Sequence, residues 1–315
     1  MTTKRICMIG GTGFVGRHIA HQLVERGYDI HVLTRDRERA KHLLVLPSAE
    51  VIAANVHDPA ELERQFSGMD AVINLVGILH ESRKNSFDNA HVQLTQKVLG
   101  ACRRAGVRRV LHMSALAAAS DAPSAYLRSK AEAEKRVLAF RHAGHGETTI
   151  FRPSVIFGHG DSFISLFAQL IKALPIVVLA CPNARFQPIH VEDVARAFVD
   201  SLDQAHTFGQ AFDLCGPKVY TLRELITLIA ALLGKRRPII GLSDRLSYLQ
   251  AWLMEWLPVK LMTRDNYYSM QVDSVCNCEF PFDFQPSSLE SIVPDYLNGA
   301  SPRSKYALFR NRAGR

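Results

Sequence analysis

The chain has 315 residues, of which 47% are hydrophobic and 22% charged, and its mean hydropathy is near zero. These values are typical of a globular protein with room for one large α/β domain and a smaller C-terminal lobe, and no apolar run reaches the length of a membrane-spanning helix. The formal net charge of +8 comes with no nucleic-acid-binding motif, which argues against nucleic acid and leaves an acidic partner or an anionic membrane surface open.

The first predicted element is a short apolar strand that runs directly into a glycine-rich turn. The strand covers Arg5–Ile9, and three glycines then follow at intervals of three residues before a helical pattern begins. Backbone N–H groups and the positive end of a helix dipole at such a turn can bind a pyrophosphate, and glycine keeps a Cβ from blocking the approach. The turn and the start of the helix are therefore the predicted pyrophosphate site, made by Gly10, Thr12, Gly13, Phe14, Val15 and Gly16.

The second predicted strand, Asp29–Leu33, ends where the adenosine ribose of a dinucleotide is expected. Thr34 stands where an acidic residue commonly binds the ribose of NAD, and Arg35 follows it. An uncharged hydroxyl beside a guanidinium suits a 2′-phosphate, so the sequence favours NADP(H). Asp36 keeps NAD(H) open, because a shift of the strand end by one residue would return a carboxylate to this place.

Further strands alternate with helical patterns along the first half of the chain. The strands are predicted at Val51–Ala53, Ala71–Val76, Val110–Met113 and Thr148–Phe151, and the helices at 14–26, 60–66, 88–105 and 124–142. This alternation predicts a doubly wound parallel sheet with helices on both faces. After the third strand, Asn55 with Val56 beside it is expected at the adenine, because the amide oxygen can accept a hydrogen bond from the adenine amine.

A tyrosine and a lysine four residues apart are the candidate catalytic pair. Tyr126 and Lys130 share one face of a predicted helix between the fifth and sixth strands. The ammonium is expected to lower the pKa of the phenol and to bind the nicotinamide ribose, so that Tyr126 can donate or accept a proton. Ser114, at the end of the fifth strand, is the candidate for holding the substrate oxygen, and Ser120 is the fallback because the residues between them lack hydroxyls.

The second half of the chain is expected to form the smaller lobe. Residues 1–155 are predicted as the dinucleotide-binding domain, 156–300 as the C-terminal α/β lobe and 301–315 as a basic tail. Within the lobe, Trp252 and Trp256 lie four residues apart in a predicted helix over Ser243–Leu257. Such an aromatic face is usually core or the wall of an apolar pocket, but with a basic tail it could also rest on a membrane or bind a prenylated ligand.

Six scattered cysteines without a CxxC pair suit reduced thiols in a cytosol better than a disulfide framework. Cys276 and Cys278 are close in sequence, but the nearest histidine in sequence is His206, so no metal site is predicted. No signal peptide is expected before the first strand. The cytoplasm is therefore the expected location, with some of the protein at the inner face of a membrane because of the positive charge and the tryptophan face.

An ordered set of motifs resembles the atypical and extended short-chain dehydrogenases of the epimerase/dehydratase kind. It consists of the glycine turn Gly10–Gly16, the segments 70–79 and 112–116, Tyr126–Lys130, Arg152–Gly158 and 187–195. The set looks closest to the branch containing the nucleotide-binding accessory subunit of respiratory complex I and its bacterial relatives. The resemblance implies a Rossmann-type fold, a tightly held NADP(H), Val76 and Gly77 beside the adenosine, and backbone from Pro153 and Val155 at the nicotinamide.

Two functions follow as expectations. One is an NADP(H)-binding oxidoreductase, dehydratase or epimerase that acts through Tyr126 and Lys130 on a small carbonyl, hydroxyl or quinone-related compound. The other is a non-catalytic nucleotide-binding accessory or assembly protein of a respiratory or quinone-related system, as the resemblance to the accessory subunit implies. The expected partners are the dinucleotide, an unidentified small molecule for which a lipophilic compound is one option, and a membrane or respiratory complex.

Overall fold

The computed structural model describes residues 4–82, 85–257 and 261–297. These residues form two compact units. The first unit contains the described residues up to Pro153 together with Val191–Leu214 and Cys278–Phe282, and the second contains Ser154–His190, Cys215–Asn277 and the described residues from Asp283 onward. The domain division expected after residue 155 stays a prediction, and the units differ from it in that the first also takes in two later segments. The basic tail, 301–315, lies outside the described residues.

The strands in chain order are β1 (Arg5–Ile9), β2 (Asp29–Thr34), β3 (Ala49–Ala53), β4 (Ala71–Asn74), β5 (Arg109–Met113), β6 (Glu147–Pro153), β7 (Ile156–Phe157), β8 (Val177–Leu179), β9 (Arg185–Phe186), β10 (Ile189–His190), β11 (Ala211–Leu214), β12 (Tyr220–Thr221) and β13 (Ile239–Gly241). The α-helices are α1 (Phe14–Glu25), α2 (Pro59–Phe66), α3 (Leu94–Ala105), α4 (Ala125–His142), α5 (Phe163–Ala173), α6 (Val191–Asp200), α7 (Leu222–Leu232), α8 (Asp244–Met254), α9 (Arg264–Ser269) and α10 (Leu289–Leu297).

The first unit is built on a seven-stranded sheet in the order β11-β6-β5-β4-β1-β2-β3. Each neighbouring pair runs parallel. Strands buried on both faces read as continuous apolar runs, and all four residues of β4 are buried. The chain order reverses between β1 and β4, which places the glycine turn at the switch point where such sheets bind ligands. The predicted fold class, a Rossmann-type doubly wound α/β sheet, is confirmed.

Helix α1 shows how the sequence pattern determines which side of a helix packs in the core. Its inward positions, Val15, Ile19, Ala20 and Leu23, recur at helical spacing and are buried. The predicted helix over 88–105 begins instead with a π-helical turn, Asp88–Gln93, before α3. Strand β11 was not predicted, because four residues with a charged Asp213 give too short an alternation to recognise.

The second unit has three two-stranded ladders, with β7 parallel to β10, β8 parallel to β13, and β9 antiparallel to β12. Its apolar core lies mainly between α5 and α7, and the fully buried side chains there include Ile164, Ile171, Leu225, Ile226 and Ile229. A capping box of Thr221 and Glu224 begins α7. Among the described residues, no helix is long and apolar enough to cross a membrane.

Two expectations for this unit are wrong. Cys215 and Cys276 form a disulfide with a Cα–Cα distance of 6.0 Å, whereas all six cysteines were expected as thiols; spacing in sequence could not reveal this pair. The tryptophans do not belong to the core either. Trp256 is 77% exposed and Trp252 39%, because α8 buries its smaller residues Ser247 and Ala251 instead.

Candidate cofactor-binding and catalytic site

The glycine turn after β1 leaves no room for side chains. Gly10 has φ +80°, and a Cβ on it would come within 3.1 Å of the backbone of Leu75 and Val76 after β4. A Cβ on Gly16 would lie 2.5 Å from the carbonyl oxygen of Gly10. The Gly13 N–H donates to that same oxygen at 3.1 Å, which closes the turn. The predicted need for glycine at these three positions therefore has a steric basis in the fold.

Helix α1 begins at this turn without a side-chain cap. Its N-cap residue is Gly13, which has no side chain to accept from the first N–H groups, and no acidic residue stands in the first turn. Uncapped N–H groups and the helix dipole together favour an anion at this end. A pyrophosphate fits this cradle, which is the role predicted for residues 10–16.

The end of β2 is organised by a local hydrogen-bonded turn. The Thr34 hydroxyl donates to the carbonyl oxygen of Asp36 at 3.1 Å and accepts from the Asp36 N–H at 3.2 Å. The Asp36 carboxylate accepts from the Glu38 N–H and caps the short 3₁₀ turn Arg37–Ala40. Arg35 lies between them and is exposed. The carboxylate that kept NAD(H) open is thus engaged as a helix cap, while the guanidinium faces solvent.

Other cations lie near this edge of the sheet. The pKa of His57 is lowered by burial and by the charges of Lys97 and Arg35. The pKa of His42 is lowered by burial and by the charge of Arg17. The Lys97 ammonium donates to the carbonyl oxygen of His57 at 3.0 Å. Because these cations lie close enough to lower the pKa of the neighbouring histidines, the region suits an additional phosphate.

Asn55 and Val56 follow β3. The Asn55 side-chain oxygen accepts from the His57 N–H at 3.1 Å, so this oxygen already takes part in a turn, and Val56 is buried in the core of the first unit. Contact of either residue with adenine stays a prediction.

Tyr126 lies in the first turn of α4, which Ser124 caps by accepting from the Leu127 N–H at 3.2 Å. Its ring meets Phe87 and His91 edge to face, at centroid distances of 5.8 and 5.6 Å. Burial raises the pKa of Tyr126 to about 12, so the expected lowering by Lys130 does not occur in this structure. An alanine-rich apolar cluster that includes Ala115, Ala117, Ala119 and Ala122 packs against the tyrosine. The alanine run after Ser114 thus surrounds the phenol with apolar groups.

Lys130 is 3% exposed, and its ammonium donates to the carbonyl oxygen of Met113 at 3.1 Å. Burial lowers the pKa of Lys130 to about 8, and the charge of Glu134 partly opposes this. A Cβ on Gly77 would lie only 3.1 Å from this ammonium, so the glycine lets the loop after β4 pass close to Lys130. The structure therefore brings the predicted Gly77 and Lys130 together.

Ser114 is buried, and its hydroxyl oxygen has no hydrogen-bond partner among the described residues. Its backbone N–H donates to the carbonyl oxygen of Phe151 at 2.7 Å, which holds it at the end of β5. The fallback residue Ser120 is exposed. Because an unpaired buried hydroxyl is costly, Ser114 is the better candidate to bind a ligand oxygen.

His91, which the sequence did not single out, connects two parts of this site. The Ile78 N–H donates to Nε2 at 3.0 Å, and Nδ1 lies 2.8 Å from the Ser129 hydroxyl, which donates to the carbonyl oxygen of Tyr126 at 2.7 Å. Burial, above all, lowers the pKa of His91 to about 2, so the ring is neutral and its Nδ1–H donates to Ser129. Its position in the π-helical turn is the signal that was missed, because such turns often mark functional sites.

A second buried histidine, His112, lies on β5 close enough to Lys130 to be affected by its charge. His112 accepts at Nδ1 from the side-chain amide N–H of Asn74 at 3.3 Å, and its Nε2 has no partner among the described residues. Burial and the charge of Lys130 lower its pKa to about 3. The Asn74 side-chain oxygen in turn accepts from the Val76 N–H at 3.3 Å, which orients the loop predicted to lie beside the adenosine.

Arg152 and Glu134 hold α4 against the sheet. The Arg152 guanidinium binds both carboxylate oxygens of Glu134, with Nε donating to Oε1 at 2.8 Å. Glu134 is buried, so the hydrogen bonds from Arg152 replace those that its carboxylate would otherwise make with water. Pro153 ends β6 in the first unit, whereas Val155 belongs to the second unit, where its carbonyl accepts from the Ile189 N–H. Their role at a nicotinamide stays a prediction.

Comparison with known proteins now gives this geometry a family. Residues 6–215 match the sequence model of the NAD dependent epimerase/dehydratase family. This match covers the glycine turn, the tyrosine–lysine pair and β11, and it confirms the predicted resemblance.

Two mitochondrial proteins are among the similar sequences. The chain is 32% identical over 231 residues to NADH dehydrogenase [ubiquinone] 1 alpha subcomplex subunit 9 of Arabidopsis thaliana, covering 70% of this chain and 56% of that protein. It is 24% identical to the 40 kDa subunit of NADH-ubiquinone oxidoreductase of Neurospora crassa, covering 96% of this chain and 80% of that one. The chain thus spans little more than half the length of the plant relative.

Solved structures agree on the fold. A dTDP-glucose 4,6-dehydratase from Streptomyces venezuelae, solved with NAD, has a TM-score of 0.71 at 21% identity, covering 93% of this chain and 96% of that one. At this identity the likeness concerns the fold alone.

Proposed function

The chain belongs to the NAD dependent epimerase/dehydratase family, and we propose that it binds NADP(H) and reduces a small carbonyl or quinone-related compound through Tyr126 and Lys130. The observation that carries the cofactor part is the uncapped, side-chain-free turn at Gly10, Gly13 and Gly16. The proposed contacts with the adenosine are made by Thr34, Arg35, Val76 and Gly77. The proposed contacts with the adenine ring are made by Asn55 and Val56.

The chemistry assigned to the chain's own residues follows from their charge states. A reduced nicotinamide supplies hydride when it is bound. With a pKa of about 12 the Tyr126 phenol is protonated at neutral pH, so it can donate its proton to a carbonyl oxygen that is becoming an alkoxide. The Ser114 hydroxyl, which has no partner in the part of the chain that the structure describes, can donate to the same oxygen and hold it in place. Lys130 is mostly cationic below about pH 8 and stabilises the phenolate that remains.

The preference for NADP(H) is tested at Arg35. Arg35→Ala should weaken NADPH binding about tenfold or more and leave NADH nearly unchanged, because a charge-assisted hydrogen bond to the 2′-phosphate contributes roughly 1.5–3 kcal/mol. Calorimetry with both cofactors measures this. Arg37→Ala is the matched control, since it removes the same charge two residues away. Equal losses for NADPH and NADH, or tighter NADH binding by the parent protein, would contradict the assignment.

Catalysis is tested at the phenol. NADPH oxidation is measured with a panel of carbonyl compounds and lipophilic quinones, and Tyr126→Phe should lower kcat about 100-fold or more because the proton donor is lost. Calorimetry should find NADPH binding retained in the variant, which separates the loss of chemistry from the loss of the cofactor. Turnover that is unchanged in Tyr126→Phe contradicts the proposed role.

A second candidate function is a nucleotide-binding accessory or assembly protein of a respiratory or quinone-related system. It is favoured by the similarity to subunits of mitochondrial NADH dehydrogenase and by a phenol whose pKa is raised rather than lowered. NADPH that binds tightly but is oxidised by no member of the panel would support this candidate over the reductase.

The proposed location is the cytoplasm, at the inner face of a membrane and in contact with a respiratory complex. The support is the net charge of +8 together with the mitochondrial relatives. Such a peripheral location requires a surface that reaches the bilayer, and the second unit carries a candidate for it.

A further inference from the structure

Helix α8 carries its large apolar side chains on the side that faces away from the protein. Leu246, Leu249 and Leu253 of α8 continue at helical spacing to Trp256 in the turn that follows the helix, and all four are exposed, Leu253 by 55% of its surface. Trp252 lies beside Trp256, with ring centroids 6.2 Å apart. These five residues are called the α8 face below. Exposed large apolar side chains gathered on one side of a helix are typical of an interaction surface, whereas single exposed ones need no explanation.

The inward side of the same helix is made of small residues. Ser247 and Ala251 are fully buried, and the Cys181 N–H donates to the Ser247 hydroxyl at 3.0 Å. Ala251 packs with Ala180 and Cys181. Because a helix that only needed to fold would bury its leucines and tryptophans, the reversed arrangement indicates that the α8 face has a use of its own.

The charged residues of α8 and of its C-terminal end are also divided between the two sides of the helix. Asp244 accepts a hydrogen bond from the Tyr267 hydroxyl, and Glu255 pairs with Arg264 at 3.0 Å, so both carboxylates are engaged with α9. Arg245 instead precedes Leu249 and Trp252 by four and seven residues and thus lies on the α8 face. The apolar surface therefore carries a cation, while the acids of the helix are bound elsewhere.

A second exposed apolar pair lies on strands β8 and β13, and β13 is the element that precedes α8. Val178 and Ile240 are directly opposite in the β8–β13 ladder, and both are about half exposed. The next residue of β8, Leu179, accepts from the Leu242 N–H at 2.9 Å, just before α8 begins. Exposed Lys172, Lys235 and Arg236 stand close to the two strands in sequence. Exposed apolar side chains, with exposed cations nearby along the chain, thus occur on the two strands as well as on α8.

We propose that the α8 face, together with Val178 and Ile240, docks the protein on an anionic lipid bilayer. Exposed tryptophans with leucines and a basic surround are the chemistry of an interfacial segment, in which apolar groups enter the headgroup boundary and cations meet lipid phosphates. A protein partner with a neutral apolar groove would leave the surrounding cations unmatched, whereas an anionic bilayer matches both features. This inference rests on the peripheral location within the proposed function and names the surface and the lipid chemistry.

The two tryptophans make the test specific, because they are the only ones in the chain and both lie on the α8 face. The full-length protein is mixed at low salt with vesicles of phosphatidylcholine alone or with added phosphatidylglycerol. Anionic vesicles should shift tryptophan emission to the blue, and lipids brominated on the acyl chain should quench it. High salt should release the protein, since exposed charges are screened within about 10 Å at 0.1 M.

Two variants tie the binding to this surface. Leu253→Glu should lower the partition onto anionic vesicles about tenfold, because the leucine contact with the bilayer is lost and a negative charge takes its place. Arg245→Glu should lower it at least about fivefold, the effect of losing one cation near an anionic surface. Val45→Glu is the matched control, because Val45 is an exposed apolar residue of the first unit (77%) that the proposal does not use.

Three results would overturn the proposal. They are the absence of any emission shift with anionic vesicles at low salt, unchanged partition of Leu253→Glu, and tryptophans already shielded from iodide in a lipid-free protein that dimerises with concentration. The last result would assign the α8 face to a second copy of the chain. NADPH calorimetry on the same samples keeps the two claims apart, because a protein that binds vesicles but no NADPH defeats only the cofactor assignment.

Discussion

Helices α4 and α8 carry the same sequence feature and place it oppositely. Each carries a pair of functional-looking side chains four residues apart, Tyr126 with Lys130 on α4, and Trp252 of α8 with Trp256 in the turn that follows it. Lys130 on α4 is almost completely buried, and Trp256, just after the end of α8, is mostly exposed. A spacing of four residues states which side chains share a helix face, but it does not state which face the protein buries.

The difference comes from the side chains that each helix carries at its other positions. One turn after Lys130, α4 buries Glu134, which binds Arg152 on β6 and so fixes the inward face by charge. Helix α8 offers Ser247 and Ala251, which allow close approach of Ala180 and Cys181 and leave the large side chains outside. The comparison teaches that a buried ion pair or a row of small residues decides the orientation of a helix, even against the most hydrophobic face.

The largest expected effect concerns the ion pair of α4. Arg152→Leu should lower the free energy of unfolding by about 3–5 kcal/mol, because it leaves the buried carboxylate of Glu134 without a partner. Urea denaturation measures the loss. Arg141→Leu is the matched control, since Arg141 at the end of α4 pairs with the half-exposed side chain of Glu147 and its loss should cost no more than about 1 kcal/mol. Equal effects of the two variants would show that the orientation of α4 does not depend on its buried charge.

A smaller effect is expected on the inward side of α8. Ala251→Leu should lower the free energy of unfolding by about 1–3 kcal/mol, because the added atoms overfill the contact with Ala180 and Cys181. Leu253→Ser, on the outward side, should change it by no more than about 0.5 kcal/mol. Urea denaturation of both variants tests which side of the helix is packed. The reverse order of effects would show that the leucine side is the buried one.

The smallest effect is the pH dependence that Lys130 brings to α4. Its pKa is about 8 in the folded protein and roughly 10.4 in an unfolded chain, so the unfolded chain binds more protons between these values. The free energy of unfolding should therefore rise with pH in this window, by about 1 kcal/mol from pH 7.5 to 9. Lys130→Met should remove this rise, as measured by urea denaturation at each pH. A parallel pH profile of parent and variant would show that the ammonium is not buried.

Most of the fold could be predicted from periodicity alone. Arg5–Ile9 was predicted with its observed ends, and the other predicted strands and helices of the first 150 residues differ from the observed ones by at most two residues at an end, apart from the π-helical turn. Long apolar runs separated by amphipathic helices specify a parallel sheet through local pattern. Strand β11 escaped prediction because it is short and, among the described residues, pairs only with β6, which lies some sixty residues earlier in the chain.

The site could be predicted only where a residue's role is local. Glycine at 10 and 16 is required by the turn itself, so sequence spacing reveals it. The raised pKa of Tyr126 depends on packing with the alanines after Ser114, and the role of His91 depends on contacts with Ile78 and Ser129. Such contacts join separate segments, and their effect on a pKa cannot be read from spacing.

The disulfide between Cys215 and Cys276 turns part of the second unit into a covalent ring. The two cysteines are 61 residues apart, and α7, β13, α8 and α9 all lie between them. A protease that cuts once inside this ring leaves both pieces attached, so the nicked chain migrates as a single band on a denaturing gel until a reductant is added. The tryptophan-bearing helix is therefore tethered at both ends of its ring, and one backbone break within the ring cannot release it from the rest of the protein.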